Sequence, residues 1–205
     1  MRITGPKCRL CRREGKKLFL KGARCETQKC AFTRHSDVPG KYGKLSRAKK
    51  TEYNTQLRTK QAAKRIYGLS EKQFYAYYEV ASQLAGNTSE NFVQLLEGRL
   101  DNAVFRAGLA PSRAAARQIV SHGLLRKNGR RVTVPSMQVK IGDKFTASER
   151  AIKSPLFEGF AKKKSTAPEW IKADFSKISL EIAGAPVATD AENIDAQTIV
   201  EFYSR

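Results

Sequence analysis

Ser112-Arg-Ala-Ala-Ala-Arg-Gln-Ile-Val-Ser-His-Gly-Leu-Leu-Arg-Lys-Asn-Gly-Arg-Arg-Val-Thr-Val134 joins a helical pattern to a hairpin pattern in one run. Ser112 is a favoured N-cap, because its side-chain oxygen accepts an otherwise unpaired backbone N–H. Ala114, Ala115, Ala116, Ile119 and Val120 follow at helical spacing, and Gly123 stops the pattern. Asn128-Gly129 then separates two short runs, and both turn residues of a tight hairpin must accept positive φ. The run predicts a helix feeding an antiparallel hairpin. Val139–Phe145 adds two short strands around Gly142-Asp143, and Ile178–Ile182 adds another. The fold class is α+β, with helices packed on a small antiparallel sheet.

Upstream, punctuation is helical. A segment from Thr51 to Tyr67 lacks Gly and Pro and stops at Gly68. Ser70 with Gln73 forms a capping box that opens a second helix, ending at Gly86, with Phe74, Tyr77, Tyr78, Ala81 and Leu84 inward. A third helix spans Ser89–Glu97, and a fourth runs from Leu100 to near Gly108. Residues 1–50 show little periodicity, and Pro39–Lys44 reads as an extended basic arm. Lys162–Pro168 reads as a flexible connection, and Ile199–Tyr203 as a terminal packing element. The domains expected are a basic arm (1–50), a helical domain (51–98), a basic α+β domain (99–164) and a C-terminal segment (165–205).

The charge distribution narrows the function. The chain has 205 residues and a formal charge of +20, while 40% hydrophobic content allows real cores. Excess charge on this scale opposes compaction and points to an anionic partner. Residues 1–50 carry +13, 51–98 are neutral, 99–164 carry +11 and 165–205 carry −4. Two one-signed blocks separated by a neutral segment suit two footprints on one polyanion. No apolar run approaches a membrane span, and the amino terminus has no apolar stretch suited to secretion. A cytoplasmic setting follows. Few exposed aromatics accompany the bases, which favours recognition of RNA shape and phosphates over single-strand stacking. His35 and His122 are isolated and no paired carboxylates occur, so neither an enzyme nor a small-molecule substrate is expected.

Cys8, Cys11, Cys25 and Cys30 form two close pairs joined by a short loop. That spacing suits one tetrahedral, structural Zn²⁺. Nearby bases, among them Lys7, Arg9, Arg12, Arg13, Arg24 and Lys29, favour thiolates and offset their charge. Two disulfides, an iron–sulfur cluster and unligated thiols are the alternatives.

Candidate RNA contacts in the first block are Arg9, Arg12, Arg13, Lys21, Lys41, Lys44, Arg47, Lys49 and Lys50. The helix from Thr51 adds Arg58, Lys60, Lys64 and Arg65. The second block offers Arg99, Ser112, Arg113, Arg117, Gln118, His122, Arg126, Lys127, Asn128, Arg130 and Arg131. Arg113 and Arg117 share one helical face and can reach successive phosphates, and the Ser112 helix start adds anion affinity.

Arg99-Leu-Asp-Asn-Ala-Val-Phe-Arg-Ala-Gly108, Ser112–Gln118, His122-Gly123 and Asn128-Gly129 resemble the RNA-binding domain of the small-subunit ribosomal protein S-four family. Cys8-Arg-Leu-Cys-Arg-Arg-Glu-Gly15, Lys17–Gly22, Gln56–Gln61, Arg65–Gly68 and Ile199–Arg205 extend the resemblance, of bacterial and zinc-binding type, over the whole chain. It implies a structural protein of the small subunit that binds the 5′ domain of ribosomal RNA and nucleates its assembly. It also implies other small-subunit proteins as neighbours, mRNA nearby, and translational accuracy shared with ribosomal protein S-five. The RNA-binding domain would be an insertion, with the chain end returning to the first domain. A free RNA-binding regulator of its own mRNA is the alternative.

Overall fold

The computed structural model describes residues 5–41, 43, 51–152, 154, 157, 167–187 and 194–205. The chain forms two compact units, 1–92 with 192–205, and 93–191.

The first unit is helical. α1 (Lys7–Glu14) follows Pro6 and stops at Gly15, whose φ of 66° is the left-handed turn that ends a helix. This helix lies in a stretch with little periodicity, where Pro before and Gly after were its only signals. α2 is the short turn Ala31–Arg34. α3 (Glu52–Tyr67) is capped by the Thr51 hydroxyl, which accepts the Asn54 N–H at 3.2 Å, and ends at Gly68. α4 (Glu71–Gln83) is capped by Ser70, which accepts the Gln73 N–H at 3.4 Å. It ends before Gly86 because Leu84 turns extended, leaving that side chain exposed instead of inward. α5 (Thr88–Glu97) crosses the division between the units. α9 (Ala196–Tyr203), capped by Asp195, packs on α3. Cys11, Leu18, Ala62 and Ile66 form one core cluster with Leu20, Phe32 and Ile194, while Phe74 meets Phe92 edge-on at 5.1 Å.

Glu71 fastens α9 to this unit. Its carboxylate takes the Lys60 ammonium, Lys64 at 2.7 Å and the Tyr203 hydroxyl at 2.8 Å. Lys60 also lies over the Phe202 and Tyr203 rings, at 4.6 and 5.1 Å from their centroids. Partial burial opposes ionisation of Glu71, yet these three donors outweigh it and lower its pKa to about 2. Tyr203 is pushed up by burial and by the same carboxylate. A carboxyl depressed in the folded state stabilises above its unfolded pKa, and loses that contribution as pH falls through the folded value. Stability is therefore expected to decline from about pH 4.5 to about 2 on this account. Glu71→Gln should flatten that acid limb and lower stability at neutral pH by about 1 kcal/mol, discounted for solvent exposure. Urea titrations across this pH range check it, and an unchanged acid limb counts against the latch.

The second unit is α+β. α6 (Leu100–Arg106) and α7 (Arg113–Ser121) pack together beside a five-stranded antiparallel sheet. Its strands are β1 (Leu125–Lys127), β2 (Arg130–Val132), β3 (Lys144–Ala147), β4 (Ile171–Asp174) and β5 (Ser179–Ile182), in the order β2-β1-β3-β5-β4. Asn128 and Gly129 have φ of 49° and 80°, the two left-handed residues a tight hairpin demands, and Lys127 sits opposite Arg130. Only one strand forms within Val139–Phe145. The Val139 N–H donates to the Gly98 carbonyl instead of entering the sheet, and Gly142 turns the chain onto Ile182. β4 and β5 continue the sheet from β3, so much of the C-terminal segment belongs to this unit. Leu100, Val104, Val120, Leu125, Phe145, Leu180 and Ile182 fill the core. Each contributes roughly 1.5–3 kcal/mol by burial. α8 (Glu149–Ile152) is one turn after β3.

Candidate nucleic-acid interface

Several bases that are candidate RNA contacts also form ion pairs with carboxylates of the fold. Arg99 is 1% exposed, and its guanidinium forks onto Asp101 at 3.0 and 2.9 Å. Glu97, fully buried, takes Arg106 at 2.9 and 3.1 Å and the Asn102 amide at 2.7 Å. Arg113 donates to Asn102 Oδ1 at 2.7 Å, lies 3.8 Å from Glu97 and stacks over Phe105. Arg117 lies 3.7 Å from Asp101. Arg99 is thus corrected from phosphate contact, being buried inside an ion-pair network, while Arg113 and Arg117 join it with side chains that stay partly exposed. A carboxylate enclosed in the core must be paired, and these are its partners. Ser112 is corrected likewise. It is buried, and its hydroxyl is spent on capping Ala115.

The same holds in the first unit. Arg65 and Arg58 converge on the Glu14 carboxylate, whose side chain is buried; burial pushes that acid up while the two charges pull against it. With Lys60 and Lys64 on Glu71, all four bases of α3 proposed for RNA have carboxylate partners. Arg12 donates to the Asp37 carbonyl at 2.8 Å, so it too braces the arm.

One outward feature of the second unit is a groove. Helix α7 ends at His122, Gly123 turns with φ 67°, and β1 and β2 carry Arg126 and Arg131 directly opposite each other. These residues, with Leu124, Ser148, Glu149, Arg150 and Ser154, line an open cavity of about 680 Å³. Arg126, Arg131 and Arg150 are exposed, and Arg131 is held by the His122 carbonyl at 2.9 Å. Three guanidinium groups around one concavity suit the forked binding of phosphate oxygens. Arg150 was missed by sequence reading, because nothing local placed α8 beside the hairpin. Gln118, Asn128 and Arg130 are exposed, while Lys127 is tied to Asp143 at 2.6 Å.

Gly123 is essential to this geometry. A Cβ there would fall on the Arg131 guanidinium and would adopt a strained φ. Gly123→Ala is expected to cost about 1–2 kcal/mol and displace Arg131. Thermal unfolding and RNA affinity should both shift, and a fully wild-type variant counts against the placement.

In the arm, Arg9, Arg13, Lys21 and Lys41 are exposed, while Lys44, Arg47, Lys49 and Lys50 lie outside the described residues. Cys8, Cys11, Cys25 and Cys30 line one cavity of about 10 Å³ together with Lys7, Leu20, Lys21 and Phe32. None forms a disulfide, and all but Cys8 are buried. Burial pushes Cys11 up, as do the neighbouring thiols. Cys30 is also opposed by burial, but backbone hydrogen bonds from Thr33 and Phe32 at the start of α2 bring it down. Among the described residues, no three His, Cys, Asp or Glu side chains as placed form a group able to hold a metal ion. The four sulfurs nonetheless gather around one small cavity.

Comparison with known proteins fixes the family. The model of the ribosomal protein S4/S9 N-terminal domain matches residues 2–97, and that of the S4 domain matches 98–145. Small ribosomal subunit protein uS4A of Alkaliphilus metalliredigens is 48% identical over 206 residues, covering 100% of this chain and 99% of the relative. The chain belongs to the uS4 family. Further uS4 proteins, from Halothermothrix orenii and Desulfitobacterium hafniense, are 47% and 48% identical with the same coverage. As a uS4 protein it is a structural, RNA-binding ribosomal protein rather than an enzyme, and its place is the small subunit in the cytoplasm. No helix among the described residues is long and apolar enough to cross a membrane.

Proposed function

We propose that this uS4 protein binds the 5′ domain of small-subunit ribosomal RNA directly and nucleates its assembly. The arginine-lined groove beside the Asn128-Gly129 hairpin carries this reading, because it is the concave surface on which unspent positive charge converges. The exposed bases of the arm supply a second footprint. Binding should be tight and steeply salt-dependent, as for a protein neutralising on the order of six phosphates. Filter binding to 5′-domain RNA against an unrelated duplex tests it, and equal affinity for both would sink specific assembly. Sedimentation of tagged protein from cells should place it with small subunits. Recovery mainly as free messenger complex would favour the regulatory alternative.

The same reading extends to neighbours. The net charge of −4 over residues 165–205 suits a basic protein partner, which the family resemblance identifies as ribosomal protein S-five. The protein then contributes to translational accuracy near where mRNA enters the subunit. Charge reversal of Glu201, which is exposed, should weaken that partner's binding and raise misreading while leaving RNA affinity intact. The arm further holds one structural Zn²⁺ through Cys8, Cys11, Cys25 and Cys30, which would supply folding energy that its small apolar core lacks. Elemental analysis of the purified, reduced protein should find about one zinc per chain. Zinc near zero would overturn that assignment.

A further inference from the structure

The arginine groove of the second unit also contains an acid. Glu149 lines it beside Arg126, Arg131 and Arg150, and all four residues are exposed. Elsewhere in this unit, carboxylates that meet basic groups pair with them. Glu97 takes Arg106 at 2.9 Å, Asp101 takes Arg99 at 2.9 Å and Asp143 takes Lys127 at 2.6 Å. Among the described residues, Glu149 forms no ion pair with the groove's arginines. Its place in the backbone is nonetheless fixed. The Ser148 hydroxyl accepts the Ala151 N–H at 3.3 Å and opens the α8 turn, and the Ser148 N–H donates to the Leu124 carbonyl at 2.9 Å, beside the start of β1. An ionised carboxylate only accepts hydrogen bonds and repels phosphate, so whatever meets Glu149 must be a donor.

The Watson–Crick edges of the bases differ in what they offer such a group. Guanine sets two donors side by side, N1–H and the N2 amino group, matching the two oxygens of one carboxylate. Adenine and cytosine each set one donor beside an acceptor, and uracil sets its donor between two acceptors. We propose that Glu149 is a specificity-determining residue that takes the Watson–Crick edge of an unpaired guanosine, while Arg126, Arg131 and Arg150 hold the phosphates around it. The groove's volume of about 680 Å³ lies within the roughly 300–1,000 Å³ of small-ligand sites. His122 and Leu124 give it a ring and an apolar surface for a base to lie against. The proposal rests on the groove as an RNA-binding surface, and it adds the reading of one base to what would otherwise be phosphate recognition.

The test uses the full-length protein and 5′-domain RNA, probed with a 1,2-dicarbonyl reagent that adds across N1 and N2 of unpaired guanines. The parent should protect at least one such guanosine. Glu149→Gln should lose that protection yet keep the parent's salt slope, since no phosphate contact is removed. Its affinity should fall about tenfold, the scale of one bidentate base contact. Inosine at the protected position, which lacks the N2 amino group, should weaken the parent about fivefold and leave the glutamine variant unchanged. Thermal unfolding of the two proteins should coincide, because the residue is exposed. Equal protection by parent and variant, or no guanosine protected by a parent that binds, overturns the proposal. So does a glutamine variant that binds every RNA more tightly, the mark of a merely repulsive acid. A parent with no preference for 5′-domain RNA over an unrelated duplex overturns instead the RNA-binding reading on which this one rests.

Discussion

Glu97→Ala is expected to destabilise the second unit by about 4 kcal/mol, since removing one member of a buried ion pair strands the other. The stranded groups are Arg106, which forks onto this carboxylate, Asn102, and Arg113 behind it. Arginine cannot shed its proton to escape the penalty. Glu97→Gln keeps an acceptor for Asn102 and Arg106 but loses the charge, so a smaller loss is expected. Trp170 is the one tryptophan of the chain and is buried in this unit, so its fluorescence reports the urea transition directly. A loss below about 1 kcal/mol would mean the network is replaceable by water, as exposed ion pairs are. RNA affinity of the surviving folded fraction should remain near that of the parent, which separates this residue from the binding surface.

The opposite pattern is expected of the groove. Arg126→Gln, Arg131→Gln and Arg150→Gln in combination should weaken 5′-domain RNA binding about a hundredfold and reduce the salt slope by about two to three. The side chains are exposed, so thermal stability should change by less than about 1 kcal/mol. Arg131 donates an internal hydrogen bond to the His122 carbonyl. An unchanged slope would remove the groove from the RNA footprint. Measuring both variants on both axes is decisive: Glu97 should move stability alone, and the three arginines should move affinity alone.

These contrasting expectations explain what the sequence could and could not disclose. Local signals read well where chemistry is local. Ser70 and Ser112 cap the helices they were expected to cap, Gly68 and Gly123 terminate helices, and Asn128-Gly129 turns the hairpin. Helix α1 escaped because its apolar residues are interrupted by bases, of which Arg12 braces the arm while Arg9 and Arg13 are exposed. Val139–Ile141 alternates like a strand, but its backbone is claimed by Gly98 rather than by the sheet. The candidate RNA surface suffered most. Arg99, Arg113 and Arg117 carry the same charge as Arg126, and no local pattern reveals that Asp101 and Glu97 are enclosed beside them. A basic residue declares its sign in the sequence, whereas its partner is settled by tertiary packing. The overall family resemblance was legible because it drew on many positions at once.

The return of α9 to α3 has a bearing on the order in which the molecule takes shape during its own translation. The second unit is continuous in the chain, so its core closes without any residue beyond 191. The first unit must wait. Lys60 and Glu71 emerge early, but Phe202 and Tyr203, which cover and complete that pair, are made more than a hundred residues later. For that interval α3 presents a half-buried ammonium and an uncovered apolar face to whatever is nearby, and a nascent chain with such a face is a natural client for chaperones. Completion of the first unit thus waits for α9, however fast its earlier helices form.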